Sequence, residues 1–426
     1  MRTVFQNCTL LDGTEQMSPR PGTDVAIEND RIAQIGKITP NKGDRVVDLT
    51  GKYLMPGLIN LHVHLPAGGK PQNKPMNTNR LTKIALSSGL SRALVLRMCH
   101  AYAMQGLLSG VTTVRAVGGL DNLDTRLRDR IHAGKLDGPR ILAANYAIGV
   151  PHGHMVGSVT RPAETVEDAV RMVDQLHGQN VDLIKLMITG GAMDAKGKGE
   201  PGRLMMQADM IKACCDRAHS YGLKVAAHVQ SPEGVRTAVL NGVDSIEHGS
   251  TLSETELAAF HKSGAVLVCT LSPALPMAKF QRETLGITEA VQYNSDLVYN
   301  NMVLGAKAAL ADGVPVGMGT DTGCPYTTHY NMWRELHYFQ KEVGVTPEFA
   351  LYTATLNNAR ILGLGDVTGS VEVGKCADLL IANSDPLADF RALEQPYMVV
   401  ARGKVYDHPQ IKKYPACDAE LDKYYD

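Results

Sequence analysis

The sequence predicts an α/β fold, a (β/α)8 TIM-type barrel carrying a small discontinuous β-sandwich domain built from both chain ends. Three observations predict it. Between residues 56 and 365, eight short apolar runs alternate with stretches of helical composition. Continuous apolar strands between helices imply a parallel sheet covered on both faces. Both termini instead read as short strands and turns. Finally, five of the apolar runs carry His, Lys or Asp at or near their ends, and a (β/α)8 barrel keeps its chemistry at the C-terminal strand ends. An open doubly wound sheet would also alternate in this way, but no Gly-rich phosphate loop accompanies the alternation.

In chain order, residues 1–55 hold TVFQNCTLL, DVAIEND, RIAQIG and RVVDLTG, with turn signals at Asp12-Gly13 and Glu28-Asn29-Asp30. Pro56-Gly57 then leads into the first apolar strand, LINLHVHL. An insertion over roughly 66–109 follows, polar and Pro/Gly-rich at first and helical in composition afterwards. The next strands are VTTVRAVGG, RILAANYAIG and DLIKLMITGG, then KVAAHVQ, DSIEHGS, AVLVCTLSP and VPVGMGTD. Among the helices between them, TVEDAVRMVDQLHGQN sets Val166, Val170, Val173 and Leu176 on one face. QADMIKACCDRAHSYG stops at Gly222. From 366 the β pattern returns, so residues 1–55 and 366–426 read as one domain flanking the barrel of residues 56–365.

Composition excludes several classes. A net charge of −1 points to neither nucleic acid nor an anionic membrane as partner. The start MRTVFQNCTL has no signal-like apolar core, and no run approaches a membrane span. The eight cysteines show no CxxC spacing, which suits reduced thiols in a cytoplasm. A cytoplasmic protein acting on a small-molecule substrate is expected.

The residues closing the strands give the chemistry. Side chains alternate along a strand, so His62 and His64 share a face and can grip one divalent cation; taken alone, the His-x-His spacing fits simple packing as well. Lys185 sits inside LIKLMI. Burial there lowers its pKa, and a neutral amine can add CO2 to become a bridging carbamate; an amine escaping to solvent is equally compatible. His228 and His248 are 20 residues apart, one strand-helix-strand repeat, so they fall on neighbouring strands; each alone could be a core histidine bonded to backbone. Asp321 ends VPVGMGTD, where a carboxylate can bind a metal and take a proton, or simply cap the next helix. Glu247 is expected to face away from His248 by strand alternation and to be structural.

Together MPGLINLHVHL, VTTVRAVGG, LIKLMITGG, AAHVQSPEGV, SIEHGS and GMGTD resemble the amidohydrolase superfamily of metal-dependent hydrolases over nearly the whole chain. The sequence looks most like its Xaa-Pro dipeptidase, carboxypeptidase-like and imidazolonepropionase-like branch. The resemblance implies two Zn2+ per chain, bridged by N6-carboxylated Lys185, although such sites accept other divalent ions. It implies that His62, His64 and Asp321 hold the more buried metal and His228 and His248 the more exposed one. A shared hydroxide would attack the substrate carbonyl, and Asp321 would pass its proton to the leaving nitrogen. Dipeptides or N-acyl amino acids are the implied substrates. Cyclic amides, lactams or lactones are the alternative, and a non-catalytic metal-binding relative is a third reading. A homo-oligomer is implied as well.

The same resemblance points to GVPHGHM for holding the substrate carbonyl or carboxylate, with His152 the better match and His154 the runner-up. Val150-Pro151 stand where the branch has more glycine, and a loop histidine without a site role fits equally. Arg115 is a substrate-binding candidate, but Ala116 replaces the Asp that often follows it; otherwise Arg115 is a strand-end charge reaching solvent. The 322–339 segment is a candidate lid or specificity wall, equally a subunit contact, and the 66–80 loop is another candidate lid.

Overall fold

The computed structural model describes residues 2–72, 77–195, 197–199 and 201–425. Two parallel sheets form its centre. One has three strands, in the order Leu58–Val63, Val111–Ala116, Arg140–Ala143. The other has seven, running from Thr160–Pro162 through Ala147–Gly149, Leu183–Met187, Lys224–Val229, Ser245–His248 and Val266–Cys269 to Val316–Met318. Every pairing in both is parallel. The strands are buried almost throughout, which is why they read as continuous apolar runs. Backbone contacts join the two sheets at both margins. The Asp182 N–H donates to the Ala143 carbonyl at 2.9 Å, and the His64 N–H to the Thr322 carbonyl at 2.8 Å.

The stretch RILAANYAIG is two strands, one in each sheet, rather than one. Asn145 lies between them in the left-handed region, φ 59°, a conformation short polar side chains tolerate. Its side chain accepts from the Thr125 N–H and donates to Gln179, fixing the kink. The insertion after the first strand forms two helices, Thr78–Ala85 and Gly89–Leu108. Of the 66–80 loop, residues 73–76 lie outside the described residues.

Both chain ends contribute to one eight-stranded mixed sheet. Arg2–Leu10 pairs antiparallel with Arg20–Glu28 and parallel with Tyr53–Pro56, which in turn pairs with Leu379–Ala382. The chain passes from Tyr53–Pro56 into the first parallel strand through Gly57. A Cβ there would lie 2.3 Å from the Thr112 side chain, so only glycine permits the close approach. A last helix, Pro415–Asp422, packs Cys417 and Leu421 into the main core. No helix among the described residues is long and apolar enough to cross a membrane.

Candidate metal centre

The mouth of the parallel strands gathers the predicted side chains. His62, in Leu58–Val63, is buried; its Nδ1 lies 2.7 Å from Glu247 Oε2 and its Nε2 3.5 Å from Asp321 Oδ1. His64 reaches the same Asp321 oxygen at 3.0 Å and donates from Nδ1 to the Gly118 carbonyl at 2.8 Å. A carbonyl can only accept, so the second nitrogen, Nε2, is the one turned to the site. The His248 ring stands 4.8 Å from the His62 ring and 4.6 Å from that of His228. One ligand atom each from His62, His248 and Asp321 falls within 4.8 Å of the others. Lys185 lies fully buried on Leu183–Met187, its Nζ without a hydrogen-bond partner among the described residues.

Local structure explains the convergence. Asn60 ties the first strand to the last: its Nδ2 donates to Thr320 Oγ1 at 2.7 Å, and its Oδ1 accepts from the Thr320 and His62 N–H groups. That fixes Asp321 relative to His62. Gly319 allows the approach, because a Cβ there would lie 2.5 Å from His62 Cβ. Asp321 and His248 both have left-handed backbones, φ 51° and 69°. Strain of this kind gathers where structure is held for function.

Electrostatics prepare these groups as ligands. Burial lowers the His62 pKa to about 4 and drives His228 and His248 well below the imidazole range, so all three are neutral at pH 7. Burial also opposes charge on His64, but Asp321 and the Gly118 carbonyl outweigh it and raise its pKa. Burial pulls Lys185 down to about 8, against the pull of Glu247 and Asp321. Asp321 is buried as well, yet His62 and His64 hold its carboxyl well below the usual carboxylate range. The neutral imidazoles of His62, His228 and His248, an ionised carboxylate and a readily deprotonated amine form a donor set suited to divalent cations.

The Amidohydrolase family profile matches residues 53–406. The chain belongs to the amidohydrolase family. A candidate prolidase from Bifidobacterium longum superposes with a TM-score of 0.88 at 35% identity, covering 100% of this chain and 99% of that one. Imidazolonepropionase from Pseudomonas putida is 27% identical over 95% of this chain and 99% of its own length. Ochratoxinase from Aspergillus niger is 25% identical over 92% and 85%.

Within this amidohydrolase, the expectations for Glu247, Arg115 and the 322–339 segment need correction. Glu247 does not turn away from the site. The left-handed turn at His248 breaks strand alternation, so both side chains approach His62. Arg115 does not reach solvent. It is 5% exposed and donates to Leu61 O, Ser245 Oγ and Glu247 Oε1 at 2.7, 3.1 and 2.6 Å, which commits it to holding Glu247. His152 is exposed with φ 62°, whereas His154 stacks on His228 at 4.2 Å and pairs through Nδ1 with Asp194 at 2.5 Å. The 322–339 segment is mostly buried and is neither an exposed lid nor a subunit surface: Glu335 accepts from the Leu271 and Ser272 N–H groups, and Arg334 pairs with Asp422. Asp321 caps no helix; the next begins at Met332 with Asn331 before it.

Two site residues escaped the sequence reading. Thr270 meets His248 Nδ1 at 2.7 Å. Its signal was its place near the end of AVLVCTLSP, a strand given no functional residue. Asp194 orients His154 from a loop whose residues give no periodic signal.

Proposed function

We propose that this amidohydrolase cleaves the amide C–N bond of dipeptides or N-acyl amino acids. One observation carries the reading: Lys185, fully buried and with no hydrogen-bond partner for Nζ among the described residues, lies within the charge field of Glu247 and Asp321. A structural lysine would be expected to find a carboxylate partner or solvent. His228 Nε2 is likewise buried without a hydrogen-bond partner among the described residues. These residues fit a pair of divalent cations, zinc in our reading. His62, His64 and Asp321 would hold one and His228 and His248 the other, with Lys185 as a carbamate between them. Bound there, the cations would acidify water and polarise the scissile carbonyl.

The chain's own groups supply the rest. Asp321, ionised at neutral pH, is placed to take the proton of an attacking water and pass it to the leaving nitrogen. Glu247 accepts from His62 Nδ1 and so keeps Nε2 as the free lone pair. His154, oriented by Asp194, is the residue we assign to the substrate carbonyl or carboxylate. The reading takes the two parallel sheets as one closed barrel over 56–365, supported by the contacts at both margins, flanked by a β domain from 1–55 and 366–426. It places the enzyme in the cytoplasm, in line with eight unpaired cysteines.

The likeness to imidazolonepropionase over nearly the full chain favours a second reading, hydrolysis of a cyclic amide by the same residues. The deciding experiment is turnover of a mixed library of L,L-dipeptides, N-acyl amino acids and cyclic amides. Zinc and bicarbonate are supplied, and substrate loss is followed by mass spectrometry beside a chelator-treated control. Chelator-sensitive loss of linear substrates is the expected result. Loss of cyclic amides alone would replace the first reading with the second, and inactivity of metal-loaded protein on every panel would refute both.

A further inference from the structure

The helical insertion is unlike the rest of the surface. Helix Thr78–Ala85 buries none of its residues, and Leu81 and Ile84 are 48% and 55% exposed. A helix of eight residues is not self-supporting in water. Helix Gly89–Leu108 is apolar on two sides. Leu96, Cys99, Ala103 and Leu107 face the core. Leu90, Ala93, Leu94, Met98 and Ala101 lie on the open side around exposed Arg97, with Leu90 74% and Leu94 59% exposed. A second apolar side on a helix is normally covered by another element. On the open side leucine and methionine knobs alternate with alanine gaps, the relief that another helix fits.

Charge indicates what covers this face. Residues 66–109 hold six Lys/Arg and no Asp/Glu. The chain has 43 Lys/Arg and 44 Asp/Glu, so the remainder carries 37 against 44 and is acidic. The overall charge of −1 conceals this segregation. Arg80, Lys83 and Arg97 are exposed and enter no ion pair among the described residues. An apolar face with a basic rim on an otherwise acidic molecule matches that molecule's own surface.

The face also adjoins the metal centre. The Asn79 side-chain amide, with its nitrogen turned inward, donates to the Val156 and Gly157 carbonyls at 3.1 Å each. That loop carries His154, which stacks on His228. Met155, 40% exposed, extends the apolar face toward the loop.

We propose that the exposed apolar face of the two insertion helices docks on a second copy of this chain, and that the contact steadies the His154 loop over the metal centre. The second clause rests on the function proposed above; the first does not. The test is analytical ultracentrifugation of the full chain, wild type beside Leu90→Glu/Leu94→Glu and, separately, Ala93→Arg. Ala93→Arg removes little apolar surface and guards against a folding defect. The wild type is expected to sediment as a dimer or larger, and both variants as single 46.0 kDa chains with unchanged circular dichroism. Hydrogen exchange should rise in residues 77–86 and 149–160 of the variants. A monomeric wild type, or variants that stay assembled, would overturn the docking. A monomeric wild type that co-sediments with phosphatidylglycerol vesicles would overturn it in favour of a lipid surface. Assembly lost without faster exchange at 149–160 would overturn the second clause alone. None of these readouts depends on amide hydrolysis.

Discussion

Glu247→Gln should damage both stability and metal binding while barely changing shape. Glu247 is fully buried, and burial alone would raise its pKa; Arg115 and His62 reverse that and hold it far below the carboxylate range. It accepts from Arg115 at 2.6 Å, from Ser245 Oγ at 2.7 Å and from His62 at 2.7 Å. The amide leaves the Arg115 cation buried without a counter-charge, which costs about 3–5 kcal/mol. At roughly 2.1 cal/mol/K per residue, unfolding the 426-residue chain carries an entropy of about 0.9 kcal/mol/K. The unfolding midpoint should therefore fall by about 3–6 °C. Arg115 and Ser245 both donate to Oε1, so the new amide oxygen stays with them and the NH2 faces His62. His62 must then accept at Nδ1 and carry its proton on Nε2, the nitrogen needed for a cation. Zinc affinity should drop by about 10–100-fold. Calorimetry of metal-free protein and a zinc titration check the two effects separately. Adding Arg115→Met should recover part of the stability but none of the zinc affinity. An unchanged midpoint together with unchanged zinc affinity would refute the reasoning.

Three further outcomes follow from buried ionisable groups. Lys185 titrates at about 8 when folded against 10.5 ordinarily, so between those values the unfolded chain binds the extra proton. Metal-free wild type should therefore gain stability as pH rises from 8 to 10.5, by about 3 kcal/mol relative to Lys185→Met; parallel pH profiles of their unfolding midpoints would contradict this. Asp124 is pushed up to about 7 by burial, and neither oxygen has a hydrogen-bond partner among the described residues. Here the folded chain holds the proton more tightly, so stability falls as pH rises from 3.8 to 7, by up to about 4 kcal/mol. Asp124→Asn should show an advantage that grows between about pH 4 and pH 7, read from unfolding midpoints of metal-free protein. Asp194→Asn removes the anion that orients His154 and should lower kcat/KM by about tenfold with zinc content unchanged, measured on whichever substrate the library yields.

The sequence made legible whatever period and position control. Apolar runs marked the parallel strands, and His62, His64, Lys185, His228, His248 and Asp321 stood out because each closes or interrupts such a run. The misreadings have two causes: local backbone departures that no period reports, and partners distant in the chain. The left-handed residue at His248 turned its ring to the side Glu247 already faces, and the one at Asn145 cut an apparent strand in two. Arg115 looked like a surface charge because its partner, Glu247, lies 132 residues away and only the fold joins them. The His154–Asp194 pair spans 40 residues between two loops, where composition carries no spacing rule. The 322–339 segment read as a lid because polar and aromatic residues mix there; its burial depends on Glu335 and on the C-terminal helix, both distant signals.

The measurement closest to the central claim is anomalous diffraction at the zinc edge, on crystals of protein prepared with zinc and bicarbonate. The account predicts two peaks at the mouth of the parallel strands. One should be bounded by His62, His64 and Asp321 and the other by His228 and His248, with density continuing from Lys185 Nζ between them. Peaks elsewhere, or none with Lys185 unmodified, would contradict it.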